Sequence, residues 1–333
     1  MKIVHVILSG GVGSRLWPVS RKSMPKQYIH LFHGKSLFQL TAERNKHLSH
    51  QTLIVGNKDN YLLSQADMTL AGINHYDELI EAAPRNTAAA VAFAAFSVQP
   101  EDIMLVTPSD HIITDDSAYE AALCEAVELA QAGYLVTFGI VPDRPETGYG
   151  YIECEENDVL SFHEKPDLLK ANSFLEKGNF LWNSGMLCVK ASTYLHELNK
   201  FEPKILESAL CSYEGRMGNF LPVKETMLIP SKSIDYAVME RSDKIKVVQS
   251  NFRWSDMGSF ESIWEHWKVQ GDIHYFHDDN CVIGSKKHVE FLGVNNVVLV
   301  ETPDAILVLA KSKSQDVKQI YERLEKEKPE LVN

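Results

Sequence analysis

Residues Ile3 to Arg15 read "IVHVILSGGVGSR": a run of six residues, apolar except for His5, that breaks at Ser9 into a turn carrying Gly10, Gly11 and Gly13. A run this short, ended by a turn, has the length of a buried β-strand rather than of a helix. Comparable runs follow at "TLIVG", "IMLVTPSD", "LVTFGI", "MLCVK" and "IKVVQ". Between several of them lie stretches with helical spacing and high alanine content, such as "TAAAVAFAAFSV" and "YEAALCEAVELAQAG". Buried strands alternating with helices predict an α/β fold whose mostly parallel sheet is covered on both faces. Beyond about Trp267 the texture changes to "CVIG", "VEFLGVNNVVLVET" and "DAILVLA", which predicts a small β-rich unit. The amphipathic stretch "SQDVKQIYERLEKE" predicts a closing helix.

In such sheets ligands bind beyond the carboxyl ends of the strands. The segments in that position are polar: "SGGVGSR", "PSDH", "HEKPD" and "WSDMGSF". The first ends in Arg15 and is followed by Arg21, Lys22 and Lys26, in a chain of 333 residues whose formal net charge is −12. Such a chain repels nucleic acid and anionic membranes, so cations gathered at one turn predict a small anion. Glycines let the backbone present N–H groups at short range, and two cations beside such a nest can neutralise a triphosphate or a departing pyrophosphate. Arg15 and Lys26 are the candidates, with Pro18 and Pro25 restricting the chain between them. The dinucleotide fingerprint fails at Leu16, where its third glycine belongs, and the P-loop fails because "GKS" at 34–36 lacks the upstream glycine.

The 44% hydrophobic content supplies a sizeable core. Five cysteines without C-x-x-C pairing suit reduced thiols, which points to the cytoplasm. No signal-peptide pattern and no apolar run of membrane-spanning length is found. The expected partners are small molecules rather than nucleic acid or membrane, and a homodimer stays open.

The text "GGVGSRLWPVSRKSMPKQ" is similar to the signature of the mannose-1-phosphate guanylyltransferases, within the sugar-1-phosphate nucleotidyltransferase superfamily. The resemblance continues through "RNTAAA", "PSDHII", "TFGIVPDRPETGYGYIE", "FHEKPD", "FLWNSGM", "SIDYAVMER" and "WSDMGSF", in the family's order. Three departures stand out. Ser14 replaces the usual threonine, His163 replaces the usual valine, and "EAAPRNT" puts Pro84 where a glycine is usual, which bars positive φ there. The chain resembles the short, transferase-only form, ending about where the isomerase domain of bifunctional members would begin.

The resemblance implies a Rossmann-like catalytic domain over residues 1–267 and a small β-helix-like unit with a terminal helix over 268–333. It implies transfer of GMP from GTP to mannose 1-phosphate, with release of pyrophosphate and with Mg²⁺ as cofactor. Arg15 and Lys26 would be catalytic. Gly10, Gly11, Gly13, Ser14, Arg85, Asn86 and Ser109 would bind the nucleotide. Gly148, Glu164, Lys165 and Asn183 would bind the sugar phosphate. Asp110 and Asp256 would hold the metal, hard oxygen ligands of the kind Mg²⁺ takes alongside phosphates. The residues also have ordinary readings: aspartates after strands as turn or cap residues, Glu164 and Lys165 as a surface pair, and Asn86 or Thr87 as a helix cap. His274 and His277 lack further ligands at fixed spacing, and Trp264 and Trp267 read as packing. Two rival functions remain: a transferase for another sugar 1-phosphate or nucleotide, and a catalytically silent regulatory subunit that binds a nucleotide sugar.

Overall fold

The computed structural model describes residues 1–272 and 276–333, so His274 lies outside the described residues. In chain order its strands are β1 (Ile3–Leu8), β2 (Gln51–Asn57), β3 (Asp77–Glu81), β4 (Ile103–Pro108), β5 (Ile112–Thr114), β6 (Leu135–Ile140), β7 (Tyr151–Glu155), β8 (Asp158–His163), β9 (Phe180–Lys190), β10 (Ile245–Ser250), β11 (Arg253–Ser255), β12 (Phe276–His277), β13 (Asn280–Ile283), β14 (Val297–Glu301) and β15 (Ile306–Ala310). The α-helices are α1 (Leu37–Asn45), α2 (Tyr61–Leu70), α3 (Asn86–Phe96), α4 (Asp116–Gln131), α5 (Leu168–Lys177), α6 (Ala191–Phe201), α7 (Pro203–Glu214), α8 (Val223–Met227), α9 (Phe260–Gln270) and α10 (Val317–Glu327). Two compact units divide the chain, and neither is one sequential block. The first takes Met1–Gly10, Thr41–Ser109 and Ile113–Trp254; the second takes Gly11–Leu40, Asp110–Ile112 and Ser255–Asn333.

In the first unit nine strands form one sheet in the order β3-β2-β1-β4-β9-β6-β10-β8-β7. The half from β3 to β4 is parallel, as is the β6–β10 pair. Strand β9 runs antiparallel between β4 and β6, so the sheet is mixed. The apolar run "MLCVK" is only the second half of this 11-residue strand. Asn183, Ser184 and Gly185 interrupt its apolar pattern, which hides the first half from a reading by periodicity.

Both faces of the sheet are covered. Val4, Val6, Met104 and Val106 share a core with residues of α3, α6 and α7. Ile103, Leu105, Val136 and Phe138 share another with residues of α4. Successive residues of a strand therefore meet opposite cores, and the runs read as continuously apolar. Helix α3 is buried from Ala88 through Ala95, which is why it is apolar on every side. His5, inside β1, bonds Thr107 Oγ1 at 2.8 Å, and burial with Arg44 nearby lowers its pKa to about 3, so it stays neutral.

The second unit carries the sheet β12-β13-β14-β15, in which β13 and β14 run parallel. Its core gathers Leu16, Trp17, Phe260, Trp264, Trp267, Val298 and Val300, so both tryptophans of α9 are packing residues. Helix α10 buries Val317, Tyr321 and Leu324 at helical spacing. Within "VEFLGVNNVVLVET" only Val297–Glu301 is strand, because Gly293 and Asn296 take φ of 71° and 56°, outside strand geometry.

Candidate functional site

The four cations after the glycine turn divide into two pairs. Arg21 binds Asp304 Oδ1 at 2.8 Å and the Leu331 carbonyl, while Lys22 Nζ binds Glu325 Oε1 at 2.7 Å. Trp17 Nε1 donates to the same Leu331 carbonyl at 2.8 Å. This half of the signature therefore anchors the C-terminal segment within the second unit.

Arg15 and Lys26 face carboxylates instead. Lys26 Nζ stands 2.9 Å from Asp110 Oδ2 and donates to the Asp256 carbonyl at 2.7 Å. Arg15 Nη2 lies 4.0 Å from Asp256 Oδ2, and its Nη1 donates to Gln315 Oε1 at 2.8 Å. Lys26 is only 8% exposed, so its charge is held in place rather than solvated. The loop is built around it. Gly11 and Gly13 take φ of 84° and 75°, and a methyl group at Gly13 would stand 2.6 Å from Lys26 Cβ. Gln27 Nε2 donates to the Gly11 carbonyl, Ser20 Oγ to the Gly13 carbonyl, and the Lys26 N–H to the Val12 carbonyl. Ser14 begins the short 3₁₀ turn Ser14–Leu16, with Gly13 as its left-handed cap. Asp256 is oriented by the Gly258 N–H, which donates to Oδ1 at 3.0 Å. A methyl group at Gly258 would fall 2.4 Å from Asp256 Oδ2, so glycine is needed for the carboxylate to sit there. Among the described residues no group of three or more His, Cys, Asp and Glu side chains could hold a metal, which leaves two carboxylates as the hard donors of this set.

Gly10 and Ser109 end stretches of the first unit. Ser109 N–H binds the Leu8 carbonyl at 3.1 Å, and its hydroxyl is buried without a protein partner. Arg85 and Asn86 lie at the start of α3. Arg85 stands at the N-cap position without a side-chain capping bond and its Nε donates to the Ile229 carbonyl at 2.6 Å, while Asn86 takes φ of 69° and accepts the Thr87 N–H. The left-handed residue of this loop is Asn86, a residue type that tolerates the conformation.

Glu81 closes β3 just before this loop. Burial pushes its carboxyl up to about 8 from the ordinary 4.5, against a main-chain bond from Arg85 that favours the ionised form. Between those values it is protonated in the folded chain and ionised in the unfolded one. Its contribution to stability is complete below 4.5 and is lost as pH climbs to about 8, at about 1.4 kcal/mol per pH unit inside the window. Glu81→Gln should remove that slope. Urea midpoints at roughly pH 5, 6.5 and 8 should decline more steeply in wild type than in the variant; parallel declines would show that Glu81 is ionised in both states.

The sugar-phosphate candidates lie in the first unit. Glu164 and Lys165 follow β8 and pair with each other, and Lys165 takes φ of 45° directly before Pro166, a costly conformation for a long side chain. Asn183 sits in β9. Its Oδ1 accepts from Thr137 Oγ1 at 3.0 Å and from the Gly185 N–H at 3.1 Å, and its Nδ2 donates to Asp235 Oδ1 at 3.2 Å. Gly148 donates its N–H to Glu146 Oε1 at 2.9 Å. The close glycine here is Gly150: a methyl group on it would lie 2.8 Å from Glu164 Oε2 and 3.4 Å from Asn183 Cβ. "ETGYG" displays both glycines, and only the fold separates their tasks. Asp235, visible in "SIDYAVMER" but given no role by the sequence, also joins this set.

The nucleotidyl transferase family model matches residues 4–270, and the model of the MannoseP isomerase/GMP-like beta-helix domain matches residues 277–324. The alginate biosynthesis protein AlgA of Pseudomonas putida is 39% identical over 349 residues, covering 98% of this chain and 72% of that protein. The mannose-1-phosphate guanylyltransferase of Escherichia coli is 38% identical over 347 residues, covering 97% and 74%. A Thermus thermophilus structure described as a mannose-1-phosphate geranyltransferase superposes with a TM-score of 0.82 at 30% identity, covering 98% of this chain and 100% of that one. With the family model and these relatives spanning nearly all of its length, the chain belongs to the nucleotidyl transferase family.

Proposed function

We propose that this chain transfers GMP from GTP to mannose 1-phosphate, giving GDP-mannose and pyrophosphate. The relatives' names and the order of the motifs support the reading. The observation that carries it is the buried Lys26 ammonium, tied to Asp110 and to the Asp256 main chain on a glycine loop, with Arg15 close by.

The sugar phosphate is already an anion, so its oxygen can attack the α-phosphorus in line and expel pyrophosphate without a protein nucleophile. The protein's task is alignment and charge neutralisation. Lys26 and Arg15 balance charge on the phosphates, and the N–H groups of Gly11, Gly13 and Ser14 offer donors to them. Asp110 and Asp256 fit a divalent cation: both are hard oxygen donors, both residues touch one ammonium, and Gly258 leaves room around the Asp256 carboxylate. Bound there, Mg²⁺ supplies positive charge to the triphosphate. Lys165 orients the sugar phosphate, Glu164 and Asn183 meet hydroxyls, and Arg85, Asn86 and Ser109 serve the nucleotide. Five free cysteines suit a reducing cytoplasm.

The test is pyrophosphate release from each of the four nucleoside triphosphates with a panel of hexose 1-phosphates. GTP with mannose 1-phosphate should be fastest, and glucose 1-phosphate, which differs in the direction of one hydroxyl, should be used weakly. A preference for UTP or dTTP would overturn the guanylyl assignment. Binding of GDP-mannose without turnover would identify a regulatory subunit instead.

A further inference from the structure

We infer that Asp235 is a specificity-determining residue for the hexose, accepting a hydrogen bond from a ring hydroxyl of the sugar phosphate. This rests on the reading of Glu164, Lys165 and Asn183 as the sugar set.

Asp235 opens a single π-helical turn, Asp235–Met239, in which the Glu240 N–H bonds the Asp235 carbonyl at 2.9 Å. Such turns are rare and recur at functional sites. The Asp235 carboxylate is held by an amide with a determined orientation. The Gly185 N–H, which can only donate, fixes Oδ1 of Asn183 on its side, so Nδ2 is the atom that faces Asp235 Oδ1; the Thr137 hydroxyl lies within reach of both Asn183 Oδ1 and the Met186 carbonyl. Thr137 and Asn183 belong to adjacent strands, β6 and β9, so the carboxylate is positioned by the sheet rather than by a loop.

Three carboxylates, Glu164, Asp235 and Glu240, interact with one another here, with Lys165 and Lys232 as the cations that act on them. Glu164 raises the cost of ionising Asp235, Asp235 raises that of Glu240, Lys165 pairs with Glu164, and Lys232 acts on Glu240. Burial, with Glu164 next, keeps the Asp235 carboxyl above its ordinary value. Like charge keeps the phosphate of the substrate on the Lys165 side and away from the Asp235 and Glu240 carboxylates. A polyhydroxyl ring suits them, because each hydroxyl brings a donor that a carboxylate accepts strongly. A cavity of about 230 Å³ lies beside Glu164, lined also by Lys170, Tyr236 and Glu240; Asp235 is not in its lining but directly precedes Tyr236 in the chain. Gly150 keeps the approach to Glu164 and Asn183 clear of a side chain.

Epimeric hexoses differ in the direction of one hydroxyl. A carboxylate held by a locked amide cannot follow a hydroxyl that points elsewhere, and a buried polar group left unpaired discriminates strongly. The experiment compares wild type with Asp235→Asn on mannose 1-phosphate, glucose 1-phosphate and singly deoxygenated mannose 1-phosphates. In the variant, KM for mannose 1-phosphate should rise about tenfold with KM for GTP unchanged, and the mannose-to-glucose ratio of kcat/KM should fall at least about tenfold. One deoxy analogue should be poor for wild type yet no poorer than mannose 1-phosphate for the variant, a non-additivity that a merely structural role would not produce. If Asp235→Asn is not recovered folded, Asp235→Glu, which keeps the charge and moves it by one methylene, carries the same comparison. An active wild type whose variant keeps both ratios overturns the assignment of Asp235 alone. A wild type that does not turn over GTP and mannose 1-phosphate overturns the underlying reading.

Discussion

Lys26→Ala should lower turnover about a hundredfold, a loss of ~3 kcal/mol of transition-state stabilisation, in a chain that still folds. The buried ammonium is held against the Asp110 carboxylate and the Asp256 carbonyl before any substrate arrives, so no reorganisation is needed when charge develops on the leaving pyrophosphate. Its stem also fills space against Gly13, so truncation to alanine removes packing as well as charge. Lys26→Met separates the two effects, since it retains most of the stem. Steady-state kinetics should show equal losses in both variants, with the loss mainly in kcat. If Lys26→Met turns over like wild type, the stem rather than the charge is what the loop requires.

Asp110→Asn and Asp256→Asn should each lower turnover roughly tenfold to a hundredfold, and added Mg²⁺ should restore part of it. Asparagine keeps the shape, and at position 256 its oxygen can still accept the Gly258 N–H, so the fold should survive. What is lost is negative charge at a shared ion. Groups that act as a unit are not additive, so the double variant should fall far short of the product of the two single losses. The control is built into the structure. Asp110 also pairs with Lys26, and if orienting Lys26 were its whole task, Mg²⁺ would not rescue Asp110→Asn. Losses that multiply, with no response to Mg²⁺ in either variant, would mean that the aspartates act separately.

Much of the first unit was legible because a strand's burial is written locally. In "IVHVIL" and "LVTFGI" both faces are covered, so the runs are apolar but for His5 and Thr137 and their length gives the strand. The alanine-rich α3 and the amphipathic α10 were legible for the same reason: periodicity and composition report the environment of each face. Strand β9 was not, since the polar residues in its middle imitate a loop. The motifs likewise marked where chemistry is concentrated, because glycine turns, prolines and polar strand ends are properties of neighbouring residues.

Sequence alone, then, determined the short strands, the helices between them, the glycine loop and the residue types gathered after the strands. Only the tertiary structure decided which of those residues meet. It gave Arg21 and Lys22 to the C-terminal segment and Lys26 to Asp110 and Asp256, the latter 230 positions away. It placed Gly150 rather than Gly148 against Glu164, and it brought Asp235 to Asn183 across 52 positions. The reason is physical: a backbone conformation is chosen by neighbours in the chain, whereas the partner of a charge is chosen by long-range packing, which gathers carboxylates and ammonium groups whose separation along the chain carries no local signal.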